Sequence, residues 1–133
     1  MKLQADRIEG RNAIARHGPG GVIVDGQELR SSVIVPWSGA VQAWPVHALA
    51  ALTEAHFDML AALAPELVIF GSGSRLRFVR PALLAPLMAR RIGVETMDTA
   101  AACRTYNVLL AEGRSVVAAL LFESAQSSAA RAA

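Results

Sequence analysis

The apolar positions change period along the chain, and the changes mark out its elements. Leu67, Val68, Ile69 and Phe70 form a continuous apolar run between Pro65 and Gly71, the pattern of a short strand buried on both faces. Residues 94–97 and 115–122 read the same way. Between these runs the spacing becomes helical. Thr53 is placed as an N-cap with Glu54 in the first turn, and Phe57, Leu60 and Leu63 follow on one face, predicting a helix over 53–63 that Pro65 ends. A second helix is expected over 83–91, starting near Leu83, because Pro86 is tolerated only near a first turn. Asp98 and Thr99 cap a third, which runs to about residue 112 and stops at Gly113. Strands alternating with helices in this way predict βαβ units and a mostly parallel sheet.

The first third is β-rich instead. Residues 13–16 and 22–24 flank a GPGG turn at 18–21, and Asp25-Gly26 is a hairpin signal leading into a returning strand over 27–35. Residues 37–45 hold both tryptophans and read as an irregular connection whose rings cover core edges. The pattern implies one domain over 12–122, with an extension at 1–11 and a frayed tail at 123–133.

Composition narrows the class. A chain of 133 residues that is 53% hydrophobic can build one core without staples. The lone cysteine, Cys103, has no disulfide partner, and the early residues lack the apolar stretch of a signal peptide. Polar residues interrupt the longest apolar region, so the reading is soluble, cytoplasmic and not transmembrane. A net charge of +2 is too small to argue for nucleic acid. Arginine supplies all but one of the 13 basic residues, a habit of GC-rich bacterial genomes. No acidic residue lies between Glu66 and Glu95, whereas Arg75, Arg77, Arg80, Arg90 and Arg91 do, which predicts a positive region suited to an acidic partner surface.

Candidate chemistry gathers in two polar loops that follow strands expected to be parallel, so they should share the rim where open α/β sheets bind ligands. The first offers Gly71, Ser72, Gly73, Arg75 and Arg77. Its glycines permit close backbone approach to a small anion, but Leu76 stands where a GxGxxG fingerprint needs glycine and no Walker lysine follows. A tight turn closing the strand explains the same glycines. The second offers Asp98, Thr99, Arg104, Thr105, Tyr106 and Asn107. At about 100° per residue these side chains sweep most of a helix's circumference, so some must face a crevice, a loop or another chain. The competing account is a structural network in which Arg104 bridges to Asp98 or to a carbonyl and Tyr106 is half buried. Cys103 lies near the helix start but has no adjacent base, which favours a small core residue over a nucleophile. The three histidines match no zinc spacing, and no catalytic site, metal or cofactor is expected.

The strings GPGGVIVDGQELRSSVIVPW, GSGSRLRF and GVETMDTAAACRTYNVLLAEGRSVVAALL together resemble the Mth-like family of domains of unknown function. That family includes the mitochondrial NADH dehydrogenase (complex I) assembly factor three and small bacterial proteins. The resemblance spans about 12–122. It implies a three-layer α/β fold, a central mixed, mostly parallel sheet with helices on its faces and an N-terminal β-hairpin. The family commonly has threonine where this chain has Ser72, and Pro86 departs from its pattern. The resemblance also implies a non-enzymatic interaction or assembly factor, serving respiratory or membrane-protein machinery. The alternative is an enzyme that binds a small anion or nucleotide at the rim of residues 71–77 and 98–107. Oligomeric state is open.

Overall fold

The computed structural model describes residues 10–123. The expected extension and tail lie outside these residues, apart from 10, 11 and 123. The chain runs through β1 (Ile14–Gly18), β2 (Gly21–Val24), β3 (Gln27–Leu29), β4 (Val33–Pro36), β5 (Gln42–Ala43), α1 (Glu54–Ala61), β6 (Leu67–Gly71), α2 (Ala85–Ala89), β7 (Gly93–Met97), α3 (Thr99–Ala111) and β8 (Val116–Leu120).

The first three strands form their own antiparallel sheet. Asp25 and Gly26 both take positive φ, 51° and 79°, in the tight turn between β2 and β3, the conformation an Asp-Gly pair is chosen for. The expected single returning strand over 27–35 is instead two strands in different sheets. The break falls at Ser32, buried, whose hydroxyl accepts from Phe122 N–H at 2.9 Å. The reason is local: the chain leaves one sheet for the other there, and a side chain takes over from the interrupted ladder.

The second sheet has five strands in the order β5-β4-β8-β6-β7. Strand β6 is parallel to both β7 and β8, whereas β4 is antiparallel to both β8 and β5. The sheet is therefore evenly mixed, not mostly parallel. The N-terminal region supplies two antiparallel strands, and one of them, β5, forms within the stretch expected to be irregular.

Each central strand is buried on both faces, and its side chains alternate between two cores. Val116, Ala118 and Leu120 join Val33, Val35 and Ile69 against α3, together with Ile14, Val22 and Val24 of the small sheet. Val117, Ala119 and Leu121 join Ile34, Val68 and Phe70 against Phe57 and Leu60 of α1 and Leu87 of α2. Trp44 is not an edge cover but lies inside this second core, edge-on to Phe57 and Phe70 at 5.9 and 6.0 Å between centroids, a favoured aromatic geometry.

Helix α1 is capped as expected. Thr53 is the N-cap, and His56 Nδ1 accepts its N–H at 3.0 Å, the reciprocal half of a capping box. The second helical segment differs from the expectation: a 3-10 turn at Pro81–Leu84 precedes α2, so winding begins at Pro81 and not at Leu83. Each proline sits near the start of its own short segment, where the missing N–H costs nothing. Glu66 ties the end of α3 to the sheet. Its carboxylate accepts from Ser115 N–H at 2.9 Å and pairs with Arg114 at 3.0 Å, and these two contacts lower its pKa.

Candidate functional site

The loops after β6 and β7 meet at the carboxyl end of the parallel strands. Gly71 pairs with Met97 and with Leu120, so β6, β7 and β8 end level with one another. Thr99 joins the loops: its N–H donates to Gly73 O at 2.8 Å, while its Oγ1 accepts from Gly73 N–H at 2.8 Å and donates to Leu121 O at 3.0 Å. Asp98, not Thr99, is the N-cap of α3 and accepts from Ala101 N–H at 2.8 Å. Two glycines permit this closeness. A Cβ on Gly71 would stand 3.0 Å from Thr99 Cα, and Gly73 holds φ at 104°.

Beside this junction lies a depression of about 380 Å³. It is lined by Gly73, Ser74, Asp98, Thr99, Ala100 and Cys103, by Leu121, Phe122 and Glu123 after β8, and by His17, Gly18 and Pro19 at the turn between β1 and β2. The sequence marks 18–21 as a turn but not as part of this site, because only the packing of the small sheet beside α3 brings it here.

The remaining candidates go elsewhere. Ser72 is buried, and its Oγ donates to Arg75 O at 2.8 Å and accepts from Arg77 N–H at 3.0 Å. The Arg77 guanidinium folds back onto Ser72 O at 2.7 Å and pairs with Glu123 at 3.0 Å. Arg77 is therefore a brace and not a free docking group. Tyr106 is fully buried, not half buried, with its hydroxyl 2.8 Å from Asn12 O and 3.0 Å from Pro36 O. Asn107 binds the backbone of Ile14 at both its N–H and C=O, at 2.9 and 2.8 Å, as a neighbouring strand would. Arg104 is exposed and Thr105 half buried. The expected bridge from Arg104 to Asp98 gives way to the helix cap, because Asp98 turns to the first turn of its own helix.

Cys103 is buried, and burial pushes its thiol up to about 12 against the opposing charge of Arg104. Burial likewise raises Tyr106, with Arg11 opposing. Desolvation dominates both shifts, so the thiol carries almost no thiolate near neutral pH. Among the described residues no three His, Cys, Asp or Glu side chains come together to hold a metal ion.

The five arginines do not form one patch. Strands β6 and β7 run parallel in register, and the segment between them returns from the carboxyl end of the sheet to its amino end. Arg75 and Arg77 follow Gly71 at the carboxyl end. Arg90 and Arg91 precede Gly93 at the amino end, where Arg90 donates to Ala61 O at 2.9 Å. Arg75, Arg80, Arg90 and Arg91 are exposed. No helix among the described residues is long and apolar enough to cross a membrane.

A family model described as "Protein of unknown function (DUF498/DUF598)" matches residues 14–121. The bovine (Bos taurus) protein named NADH dehydrogenase [ubiquinone] 1 alpha subcomplex assembly factor 3 is 35% identical over 103 residues, which cover 76% of this chain and 55% of that protein. The chain thus spans about half the length of this curated relative. A crystal structure of a Bordetella parapertussis protein superposes with a TM-score of 0.80 at 39% identity, covering 86% of this chain and 98% of that one. A solution structure of a Bordetella pertussis protein, described as a Mth938-like domain, gives 0.81 at 33% identity, covering 95% and 96%.

Proposed function

The chain belongs to the DUF498/DUF598 family of proteins of unknown function, and from that membership we propose that it is a non-enzymatic, assembly-factor-like protein that acts by binding another protein. The Mth-like resemblance read from the sequence is borne out, and likeness to a named complex I assembly factor is the observation that carries the functional reading. The setting is the cytoplasm of a bacterium, and the clients are respiratory or membrane-protein machinery. The α/β domain over 12–122 works as one unit.

The partner presents an acidic surface. The exposed cations stand in two groups, Arg75 with Arg80 and Arg90 with Arg91, and the acidic surface meets one of them; Arg77 is held by Ser72 and Glu123. Arginine suits bidentate carboxylate contacts, and such contacts at an interface rim act chiefly on association rate and salt dependence. The test is affinity capture from native lysate at low and moderate salt. Wild type is compared with Arg75→Gln/Arg80→Gln and with Arg90→Gln/Arg91→Gln. Loss of capture in either variant supports the reading, and unchanged capture in both at low salt removes it.

One observation favours a second reading. The depression of about 380 Å³ lies where open α/β sheets place ligands, as a small-anion or nucleotide-binding enzyme would require. The carboxylates of Asp98 and Glu123 in its lining oppose an anion. A rise in melting temperature with inorganic phosphate or a nucleotide would support this reading, and none across millimolar concentrations would dismiss it.

A further inference from the structure

The loop between β6 and the Pro81 turn inverts the usual sorting of residues. Ser72 and Arg77 turn inward, while the large apolar side chains of Leu76 and Phe78 stand out, 53% and 71% exposed. Single exposed apolar residues need no explanation. These two, however, are separated by one residue and held up by a built support. The Ser72 hydroxyl binds the loop backbone at Arg75 O and Arg77 N–H. The Arg77 side chain turns under the loop to Ser72 O and Glu123, and only 20% of that side chain is exposed. Arg77 alternates with its neighbours, one residue anchoring the loop and the next on each side standing away from it. The exposed pair is therefore presented with little further ordering entropy to lose on binding.

Charge at this tip has one sign. Arg75 and Arg80 flank the pair and are exposed. No carboxylate occurs from Leu67 to Val94, and Glu123, the acidic group that reaches the loop, is engaged by Arg77. An aromatic and an aliphatic side chain between uncompensated cations match the layered chemistry of an anionic bilayer surface: phosphates outside, acyl chains just beneath. A protein partner matches less well. A stable protein interface draws on the order of 800 Å² from each side, far more than a two-residue protrusion offers. A fluid lipid surface needs no preformed socket.

We propose that Leu76 and Phe78 form a shallow insertion tip that docks the protein reversibly on anionic phospholipid membranes, with Arg75 and Arg80 on the headgroup phosphates. The contact is weak by design, since a single small apolar anchor gives only reversible binding. It holds the protein at the bilayer while Arg90 and Arg91, at the opposite end of the sheet, remain available to a protein partner.

Co-sedimentation of the full chain with vesicles tests the proposal, using phosphatidylcholine alone and phosphatidylcholine with about one third phosphatidylglycerol. Wild type should sediment with the anionic vesicles at low salt and not with the neutral ones. Leu76→Ser/Phe78→Ser and Arg75→Gln/Arg80→Gln should each lower the partition coefficient about tenfold, and salt should erase most of the arginine contribution. An unchanged melting temperature confirms that both variants are folded. A polarity-sensitive dye on Phe78→Cys, in a Cys103→Ala background, should shift to the blue on anionic vesicles. No sedimentation, equal sedimentation of the Leu76→Ser/Phe78→Ser variant, or a dye that stays in water while the protein binds each overturns the proposal. A concentration-dependent dimer abolished by Leu76→Ser/Phe78→Ser overturns it as well and assigns the tip to a second copy of the chain.

Discussion

Helix α3 and the loop after β6 carry the two sets of residues that stand out in the sequence, and they use them in opposite ways. In α3 three of the conspicuous polar side chains are turned inward, while Arg104 stays exposed. Thr99 joins two loops and the end of β8, Tyr106 reaches two carbonyls, and Asn107 completes the edge of β1. In the loop, Ser72 and Arg77 also work inward, but Leu76 and Phe78 are left in water. A polar cluster in a helix can thus be structural glue, while an apolar pair in a loop marks the surface where binding is expected. Buried polar groups persist only when each finds a partner, and among the described residues no buried side-chain nitrogen or oxygen lacks one.

The contrast breaks most easily at Thr99. Thr99→Val preserves shape but strands the Gly73 N–H and the Leu121 C=O, so chemical denaturation should show a loss of about 3 kcal/mol, the scale for leaving buried polar groups unpaired. Thr99→Ser should recover most of it. If Thr99→Val costs less than the surface scale of about 0.5 kcal/mol, the junction is not what holds the two loops together.

Tyr106→Phe comes next. It removes the hydroxyl shared by Asn12 O and Pro36 O and should cost about 2 kcal/mol. Amide exchange of Ile14, whose N–H is bound by Asn107, should speed up as well. Unaltered exchange there would show that the small sheet does not depend on α3 for its position.

Cys103 sharpens the structural side of the comparison. Its thiol should alkylate slowly in the folded protein and rapidly once unfolded, and Cys103→Ala should cost about 1 kcal/mol. The folded-state pKa of about 12 lies above the unfolded value of 9.0, so the unfolded chain releases its proton first. The Cys103 contribution is fully present below pH 9 and declines as pH rises towards 12. Tyr106 shifts in the same direction. Stability measured by denaturation against pH should fall over that window, and less steeply in Cys103→Ala. Fast native labelling near neutral pH would contradict a buried thiol.

The smallest effect is expected in the loop. Leu76→Ser/Phe78→Ser should change stability by no more than about 0.5 kcal/mol, because neither side chain is packed in the fold. A loss as large as that of Tyr106→Phe would mean that the pair supports the core and would erase the distinction between the two regions.

Much of the fold was legible because it is written in local patterns. The run Leu67–Gly71, buried through most of its length, reads as a two-faced strand from its apolar continuity. Asp25-Gly26 reads as a turn because few residue pairs accept positive φ twice. Thr53 reads as a cap from its hydroxyl ahead of a helical spacing. The sharing of one rim by the two loops follows from strand order alone.

Other features depended on which distant groups arrive at a position. Gln27–Leu29 and Val33–Pro36 look like one strand until Ser32 meets Phe122, a residue 90 positions away. The run of arginines looks like one positive patch until the parallel pairing of β6 with β7 sends its members to opposite ends of the sheet. Arg77 looks like a docking group until Ser72 O and Glu123 take it. Periodicity, caps and turns are decided within a few residues by backbone sterics and hydrogen bonding, so the sequence determined the elements and most of their order. Whether a polar side chain faces water or spans two buried backbones, and whether Phe78 joins a core or stands outside it, depends on long-range neighbours, and only the tertiary structure decided it.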